Sequence, residues 1–281
     1  MKILLTGCRG QLGSELARAL PALGELIATD RSSLDLFAAA SIREVLQRTR
    51  PQVIVNAAAY TAVERAESEE ALAVQVNAVA PGVLAEEAKR LGSLLVHYST
   101  DYVFDGTKST PYTEDDTTNP LNAYGRSKLE GENRIAGSGC RYLVFRTSWV
   151  YGPRGRNFLR AILQASREKP QLTVVDDQYG APTSSIAIAQ ATVRALQGRA
   201  AQGLFHMSAG GRTTWFAFAR TVLQRAGIAT PVVPIGSDQY PAKARRPINS
   251  LLDNSRLKQV FGIELAPWEE QLEAVMRQTL P

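Results

Sequence analysis

The stretch KILLTGCRGQLGSELARAL, residues 2–20, joins an apolar run to a glycine-rich turn and then to an amphipathic segment. The apolar run predicts a buried strand, because one isoleucine and two leucines follow one another directly. Leu12, Leu16 and Leu20 share one helical face, and Pro21 ends the segment, which predicts a helix. Residues 2–20 therefore predict a strand, a turn and a helix, which together form the first unit of a parallel sheet.

The turn contains three glycines, Gly7, Gly10 and Gly13, spaced three residues apart. Glycines at such a junction let the backbone approach a pyrophosphate, whose negative charge is favoured at a helix N-terminus. The spacing alone is a weak signal, and its place after the first strand strengthens it. We expect a dinucleotide site here. The alternative is that these glycines serve only the turn and the packing of the helix.

The alternation of strands and helices continues to about residue 150. Further strands are predicted at 25–30, 52–59, 93–100 and 141–149, and helices at 41–51, at 79–92 and from residue 122. Ser41 and Glu44 have the spacing of a capping box at the start of the second helix. This pattern predicts an α/β fold with a doubly wound, Rossmann-type parallel sheet.

Beyond residue 150 the segments become shorter and less regular. Strand or helix patterns are predicted in LTVVD, SIAIAQATVRALQG, TWFAFARTVLQRAG and PWEEQLEAVMRQTL. They are too few to extend the sheet much, and they predict a smaller lobe with a cleft between it and the first domain. We therefore expect a dinucleotide-binding domain at 1–150 and a mainly substrate-binding lobe at 151–281, from which some segments return to the first domain.

The composition is that of an ordinary globular protein: 281 residues, 44% hydrophobic and 21% charged. The net charge of +5 is clustered only at 243–247, which favours small anionic ligands over nucleic acid. Cys8 and Cys140 are too few for a disulfide framework or a zinc cluster, which favours a reducing compartment. No run approaches the roughly 20 apolar residues of a membrane span, and the apolar run near the start does not match a signal peptide. A cytoplasmic protein, with neither nucleic acid nor membrane as a partner, is expected.

The second strand ends at Asp30, followed by Arg31. A carboxylate at this place accepts hydrogen bonds from the ribose hydroxyls of NADH, whereas a guanidinium pairs with the 2′-phosphate of NADPH. We expect NADPH with NADH accepted, because a guanidinium binds phosphate with two parallel bonds. Asp35 and Leu36 lie in the loop that fits beneath the adenine.

Tyr124 and Lys128, four residues apart on the predicted helix, share one face. A nearby ammonium favours the phenolate, which would lower the pKa of the tyrosine towards the range useful in carbonyl reduction. The spacing is common in helices without a catalytic role, and its place after a nucleotide loop favours a proton donor. Thr100 and Asp101 end the preceding strand, at the edge where ligands of such sheets bind, so we expect Thr100 to hold the substrate oxygen.

The segments TGCRGQLG, VNAAAYTAV, STDYVFDG, YGRSK, TSWVYG and RRPINSLLD, in this order, resemble the extended short-chain dehydrogenase/reductases. The resemblance spans nearly the whole chain. It implies a Rossmann-type fold and NADPH-dependent reduction of a nucleotide sugar, the C4 ketone of dTDP-4-dehydro-L-rhamnose, with the proton supplied by Tyr124. It also implies a role in polysaccharide biosynthesis.

The resemblance also implies where the two ligands bind. Lys128 would hold the nicotinamide ribose, and Thr100, Asp101 and Trp149 would contact the sugar. The residues expected along the cofactor are Gly10, Gln11 and Leu12 at the pyrophosphate, Asp30, Asp35 and Leu36 around the adenosine, and Ala59, Tyr60, Thr61 and Tyr98 further along it.

Arg245 and Arg246 precede a proline in the second lobe, where two guanidiniums would suit the diphosphate of the substrate. The alternative is a surface turn with spare charge. His97 and His206 have no partner pattern, so both are expected to be structural.

Some members of the family form dimers with magnesium at the interface. Glu15, Asp176 and Asp177 are conceivable ligands for magnesium, but acidic residues in a turn are usually solvated and hydride chemistry needs no metal. We predict no metal site in the chain, and either a monomer or a homodimer.

Two other functions stay open. A nucleotide-sugar epimerase or dehydratase of the same superfamily is one, although Tyr102 stands where dehydratases carry an acid. The other is a non-catalytic dinucleotide-binding subunit, similar to the regulatory subunit of methionine adenosyltransferase. The presence of Thr100, Tyr124 and Lys128 together favours an enzyme.

Overall fold

Residues 1–198 and 201–279, which this computed structural model describes, alternate strands with helices along most of their length. The strands are β1 (Lys2–Thr6), β2 (Glu25–Ala28), β3 (Val53–Asn56), β4 (Leu94–Thr100), β5 (Arg141–Thr147), β6 (Val150–Tyr151), β7 (Leu172–Val175), β8 (Tyr179–Gly180), β9 (Thr183–Ser184), β10 (Gly203–His206), β11 (Thr213–Thr214) and β12 (Val232–Ile235). The helices are α1 (Gln11–Ala19), α2 (Ala39–Thr49), α3 (Val63–Ala66), α4 (Glu70–Val74), α5 (Ala80–Leu91), α6 (Ala123–Ser138), α7 (Phe158–Glu168), α8 (Ser185–Gln197), α9 (Trp215–Arg225), α10 (Ser255–Phe261) and α11 (Trp268–Thr279). Within these ranges no helix combines the length and apolarity needed to span a bilayer.

Six strands form one parallel sheet in the order β2-β1-β3-β4-β5-β10. The chain places β2 on one side of β1 and β3 on the other, so a crevice opens at the carboxyl ends of β1 and β3. The predicted doubly wound α/β fold is confirmed. The sequence pattern did not predict β10, which comes from the second half of the chain and pairs with β5.

Both faces of this sheet are buried, which explains why its strands read as continuous apolar runs. Ile3 and Leu5 of β1 point to the face covered by α1 and α8, together with Leu16 and Ile188. Leu4 points to the opposite face, which α2 and α5 cover. Each side chain fully buried in this way contributes about 1.5–3 kcal/mol to stability.

A second core lies outside the sheet and consists of residues between Tyr151 and Met276. It packs α7, α9 and α11 around the strand pair β7 and β12. Two later helices, α8 and α10, contribute instead to the core of the sheet through Ile188 and Leu257. The division of the chain into domains at residue 150 stays a prediction.

Two details of the helices differ from the sequence-based expectation. The capping box at Ser41 and Glu44 is wrong: α2 begins earlier, its N-cap Ala38 makes no side-chain bond, and Ser41 Oγ accepts from the backbone N–H of Asp35. In addition, α4 runs through a π-helical turn, Gln75–Val79, directly into α5. The predicted closing helix extends to Leu280, which lies outside the described residues.

Helix α6 approaches its neighbours closely because glycines face them. Asn122 caps its start by accepting from the backbone N–H of Gly125 at 2.8 Å. A Cβ at Gly131 would lie 2.0 Å from the carbonyl oxygen of Asn77 in the π-helical turn, and one at Gly125 would lie 2.2 Å from that of Tyr102. The position of this helix, which carries two of the predicted catalytic residues, is therefore determined by backbone contact.

Gly131 and Gly137 of α6 provide a matched pair of substitutions. Gly131→Ala should destabilise the protein by about 1–3 kcal/mol or more, because its methyl group meets the backbone of Asn77. Gly137→Ala should stabilise it by up to about 1 kcal/mol, since no described atom lies within 4 Å of the added Cβ and alanine favours the helix. Urea denaturation measures both changes. Equal effects of the two substitutions would contradict the close approach at Gly131.

Candidate active site

A cleft of about 1550 Å³ opens at the carboxyl ends of β1, β3 and β4 and extends to the second core. Most of the predicted site residues line it. They are Gly7, Gly10, Gln11, Leu12, Asp30, Arg31, Asp35, Leu36, Ala59, Thr61, Tyr98, Thr100, Asp101, Tyr124, Lys128, Trp149, Arg245 and Arg246. The other two predicted residues, Gly13 and Tyr60, do not line the cleft. The hydroxyl of Tyr60 donates to the carboxylate of Glu69.

The glycine turn has room for nothing but hydrogen at two of its positions. Gly7 has a φ of 68°, and a Cβ on it would lie 2.8 Å from Ala58 Cα. A Cβ on Gly13 would lie 2.0 Å from the carbonyl oxygen of Gly7, so this glycine serves the packing of α1 against the turn. The N-cap of α1, Gly10, offers no side chain to the first N–H groups of the helix. This bare helix N-terminus suits the pyrophosphate of a dinucleotide.

At the adenosine end, the carboxylate of Asp30 is already engaged by its neighbours. It accepts from the hydroxyl of Ser32 at 2.6 Å and pairs with Arg9 Nε at 2.6 Å. Hydrogen bonds from Ser32, together with the charge of Arg9, lower the pKa of Asp30. Arg31 next to it is exposed. Two guanidiniums therefore lie near the place expected for the adenosine ribose, and the sequence pattern indicated only one of them.

Thr100, Asp101 and Tyr124 meet at the end of β4. Thr100 Oγ1 donates to Asp101 Oδ1 at 3.1 Å and accepts from the backbone N–H of Tyr102 at 3.2 Å. Burial raises the pKa of Tyr124 to about 12, against a smaller lowering by the Thr100 hydroxyl. The phenol therefore remains protonated at neutral pH, as a proton donor must.

Lys128 lies one helical turn from Tyr124 and is only 2% exposed. Its Nζ donates to the carbonyl oxygen of Tyr98 at 2.6 Å and lies 3.1 Å from His97 Nε2. Burial lowers the pKa of Lys128 to about 8, against the opposing charge of Glu132. The expected lowering of the Tyr124 pKa by Lys128 is wrong for this structure, because burial of the phenol outweighs the other influences on it.

An aromatic stack forms the wall of the cleft on the side of the second core. Trp149 and Trp215 are parallel with ring centroids 3.5 Å apart, and Phe158 packs beside Trp215 at 4.6 Å. Trp149 has a φ of 47°, a strained value for a residue with a side chain, and it packs against Gly180 where a Cβ would clash with its ring. Trp149 is thus held rigidly at the cleft and also belongs to the packed interior.

The two arginines predicted to bind the diphosphate, Arg245 and Arg246, have different surroundings. Arg246 pairs with Glu64 Oε1 at 2.5 Å, so its charge is largely balanced, whereas Arg245 is exposed. Glu64 also accepts from the backbone N–H of Lys243 at 2.8 Å. Asn122 Nδ2 donates to the carbonyl oxygen of Arg245 at 2.8 Å. The segment 243–246 is therefore fastened both to α3 and to the start of α6.

The conceivable metal ligands are engaged elsewhere. Glu15 pairs with Arg154 at 3.2 Å, Asp176 accepts from the hydroxyl of Thr214, and Asp177 accepts from Ser237. In the part of the chain that the structure describes, no group of three or more His, Cys, Asp or Glu side chains could hold a metal ion. A magnesium site gains no support.

The sequence did not predict four residues that belong to the site or support it. His97, expected to be structural, contacts Lys128, and Asn122 links two sides of the cleft. The N-cap preference of asparagine just before a helix could have indicated Asn122. The contacts of Arg9 and Trp215 depend on tertiary structure, for which the sequence offers no local signal.

The chain is similar to known proteins over nearly its whole length. A family model described as "RmlD substrate binding domain" matches residues 1–280. The chain is 47% identical over 296 residues to a protein of Burkholderia thailandensis named dTDP-4-dehydrorhamnose reductase, covering 100% of this chain and 99% of that protein. The chain belongs to the dTDP-4-dehydrorhamnose reductase family. A family member from Escherichia coli K12 is 40% identical and covers 99% of this chain and 98% of its own.

Solved structures of the family have the same architecture. The dTDP-4-dehydrorhamnose reductase of Clostridium acetobutylicum superposes with a TM-score of 0.95 at 37% identity, and 99% of each chain is covered. That of Bacillus anthracis, in complex with NADP, superposes with a TM-score of 0.96 at 33% identity with the same coverage. A UDP-glucose 4-epimerase of Thermus thermophilus, 20% identical with a TM-score of 0.86 and 99% of each chain covered, shares the fold alone.

Asp101 predicts a pH-dependent stability. Burial raises its pKa to about 7, and the hydrogen bond from the Thr100 hydroxyl offsets this only in part. As the pH rises from about 4 to about 7, the unfolded chain loses this proton before the folded protein does, so stability falls. Asp101→Asn does not titrate, so wild-type stability relative to this variant should decline across that window. Urea denaturation at a series of pH values measures the difference, and a pH-independent difference would refute the shifted pKa.

Proposed function

We propose that the protein reduces the C4 ketone of dTDP-4-dehydro-L-rhamnose to the alcohol with NADPH. The observation that carries the proposal is that Thr100, Tyr124 and Lys128 line the same cleft as the glycine turn between β1 and α1. Membership of the reductase family supports the same reaction.

NADPH, when bound, supplies the hydride. Gly7, Gly10 and Gln11 would surround its pyrophosphate, and Lys128 at the floor of the cleft would hold its nicotinamide ribose. The glycine turn fits this group, because Gly10 at the N-cap of α1 leaves the first N–H groups of the helix without a side-chain partner.

Tyr124 supplies the proton. As the ketone oxygen gains negative charge, a phenol within hydrogen-bond reach transfers its proton to that oxygen and forms the alcohol. Burial keeps the phenol protonated at neutral pH, since the pKa of Tyr124 is raised to about 12. Thr100 is the last residue of β4 and donates its hydroxyl hydrogen to Asp101 Oδ1. This hydroxyl would orient the same oxygen.

The remaining substrate contacts are proposed from the second side of the cleft. Trp149 is held rigid by its stack with Trp215 and would pack against the sugar. Of the two arginines, Arg245 suits the diphosphate better than Arg246, because the guanidinium of Arg246 already pairs with Glu64.

An epimerase or dehydratase is the nearest alternative, and the environment of Tyr102 argues against elimination. Tyr102 packs edge-on against Tyr124, with ring centroids 6.2 Å apart, where a dehydratase would carry an acid. Burial raises the pKa of Tyr102, so at neutral pH its phenol is a poor acceptor for a proton taken from carbon.

The direct test follows the absorbance of NADPH after addition of dTDP-4-dehydro-L-rhamnose. Oxidation that depends on the sugar is expected, and UDP-linked 4-keto sugar serves as the specificity control. A protein that binds NADPH without oxidising it in the presence of this sugar would instead be the non-catalytic dinucleotide-binding subunit.

Tyr124→Phe separates binding from chemistry. The ring still fills its place while the proton donor is lost, so kcat should fall by about 100-fold or more. The Kd for NADPH, measured by fluorescence titration, should stay within about threefold, because the substitution removes no contact to the pyrophosphate. A fully active variant would refute the role assigned to Tyr124.

Arg31→Ala tests the preference for NADPH. Removing a charged partner of the 2′-phosphate should raise the KM for NADPH about tenfold, whereas the KM for NADH, which lacks this phosphate, should barely change. Arg9→Ala is the companion variant, since Arg9 also reaches Asp30 in this region. Equal changes in both KM values would show that Arg31 does not select the phosphate.

A further inference from the structure

One glutamine of the cleft is buried although its side chain has no protein partner. Gln178 lines the cleft and is only 7% exposed. Within residues 1–198 and 201–279, no group forms a hydrogen bond with its side-chain amide, and this amide is open to the cleft rather than enclosed by the protein. Most buried amides in proteins have partners for their oxygen and their two N–H groups. Gln178 is therefore suited to a ligand that supplies those partners.

The backbone is fastened on both sides of Gln178. On one side, Asp177 Oδ2 accepts from the backbone N–H and from the hydroxyl of Ser237, both at 2.9 Å. On the other side, the backbone N–H of Tyr179 donates to the carbonyl oxygen of Ile248 at 2.7 Å, and β8 pairs with β11. The amide is thus held in place by the fold, and a ligand that binds it does not have to order this segment.

The direction of the Gln178 side chain follows from its place before β8. Side chains two residues apart in an extended chain point to the same side, so Gln178 shares a side with Gly180. A Cβ on Gly180 would clash with the ring of Trp149. Gln178 therefore lies on the side of β8 that faces Trp149 and the aromatic wall of the cleft.

The neighbours of Gln178 indicate which part of a nucleotide sugar it faces. Ile248, the backbone partner of Tyr179, also lines the cleft and follows Arg245 by three residues. Trp149 is proposed above to pack against the sugar, and Arg245 is proposed to bind the diphosphate. Because the sugar is bonded directly to the diphosphate, a group near both of these residues faces the sugar.

We propose that Gln178 binds the sugar ring of the substrate, with hydrogen bonds between its side-chain amide and the hydroxyls at C2 and C3. An amide accepts from one hydroxyl and donates to another, which suits two neighbouring hydroxyls. C3 adjoins the ketone carbon C4, so these bonds would hold the ketone in a defined orientation towards Tyr124. This role rests on the proposed function, because the substrate supplies the hydroxyls.

The test compares two ligands by isothermal titration calorimetry at saturating NADP⁺. The product dTDP-L-rhamnose carries the sugar hydroxyls, whereas dTDP has no sugar. Gln178→Met should raise the Kd for dTDP-L-rhamnose about tenfold, because hydroxyls of the sugar are left unpaired in the cleft. The Kd for dTDP should change by less than about twofold. Gln224→Met, at an exposed position of α9, is the matched control and should change neither value.

The stability of the unliganded variant separates binding from a structural role. Methionine has about the volume of glutamine and no group that needs a hydrogen-bond partner, so the urea midpoint of Gln178→Met should equal or exceed that of the wild type. A lower midpoint together with weaker binding of both ligands would show that Gln178 supports the fold, and would overturn the proposal.

The two affinities decide the remaining cases. Equal weakening of both ligands would assign Gln178 to the nucleotide, and unchanged affinities would show that it contacts neither ligand, so either result overturns the proposal. Gln178→Ala should give the same difference between the two ligands, which makes the test independent of how methionine packs. A wild-type protein that does not bind dTDP-L-rhamnose would refute the proposed substrate and this role with it. Tight binding by the wild type and by Gln178→Met alike would refute the role of Gln178 alone.

Discussion

The burial of one lysine nitrogen constrains the centre of this structure. Lys128 Nζ is removed from water, so it needs hydrogen-bond partners within about 3 Å, and it finds them on β4 in the Tyr98 carbonyl and the His97 ring. Reaching β4 requires α6 to lie against the sheet and the π-helical turn with almost no space between them. Gly125 and Gly131 make that approach possible. The position of Tyr124, one turn away on the same face, follows from the same contact.

The same burial acts in opposite directions on the two residues of the helix. Removal from water favours the neutral form of each group, so it raises the pKa of Tyr124 and lowers that of Lys128. The pair expected from the sequence, a phenol made acidic by an ammonium, assumed that the attraction between charges would dominate. Desolvation is larger here, and it leaves a phenol that gives up its proton only when a stronger base forms beside it. A ketone oxygen that has received a hydride is such a base.

Local sequence patterns predicted the first strand, the glycine turn and α1 because all the interactions involved lie within 20 residues of one another. They also placed Asp30, Thr100 and Tyr124 at the cleft, since the carboxyl ends of parallel strands share one edge. The buried contacts of Asn56 with Thr6 and His97 could not be predicted in this way, because they depend on the register of strands about 40 to 50 residues apart. The pair of Arg246 with Glu64, 182 residues apart, has no local signal at all. The capping box at Ser41 and Glu44 was predicted from a local pattern and does not form. Ser41 Oγ accepts instead from the backbone N–H of Asp35 in the preceding loop.

Asn122 connects the chemistry of the helix with the far side of the cleft. Its side-chain oxygen caps α6, while its side-chain nitrogen holds the carbonyl of Arg245. One amide thus fulfils two requirements that aspartate could meet only in part, because a carboxylate accepts but does not donate. Since Glu64 fastens the neighbouring Arg246 and the backbone at Lys243, the segment 243–246 cannot move away from the cleft without breaking bonds to both α3 and the start of α6. The width of the cleft and the position of Tyr124 are therefore determined together.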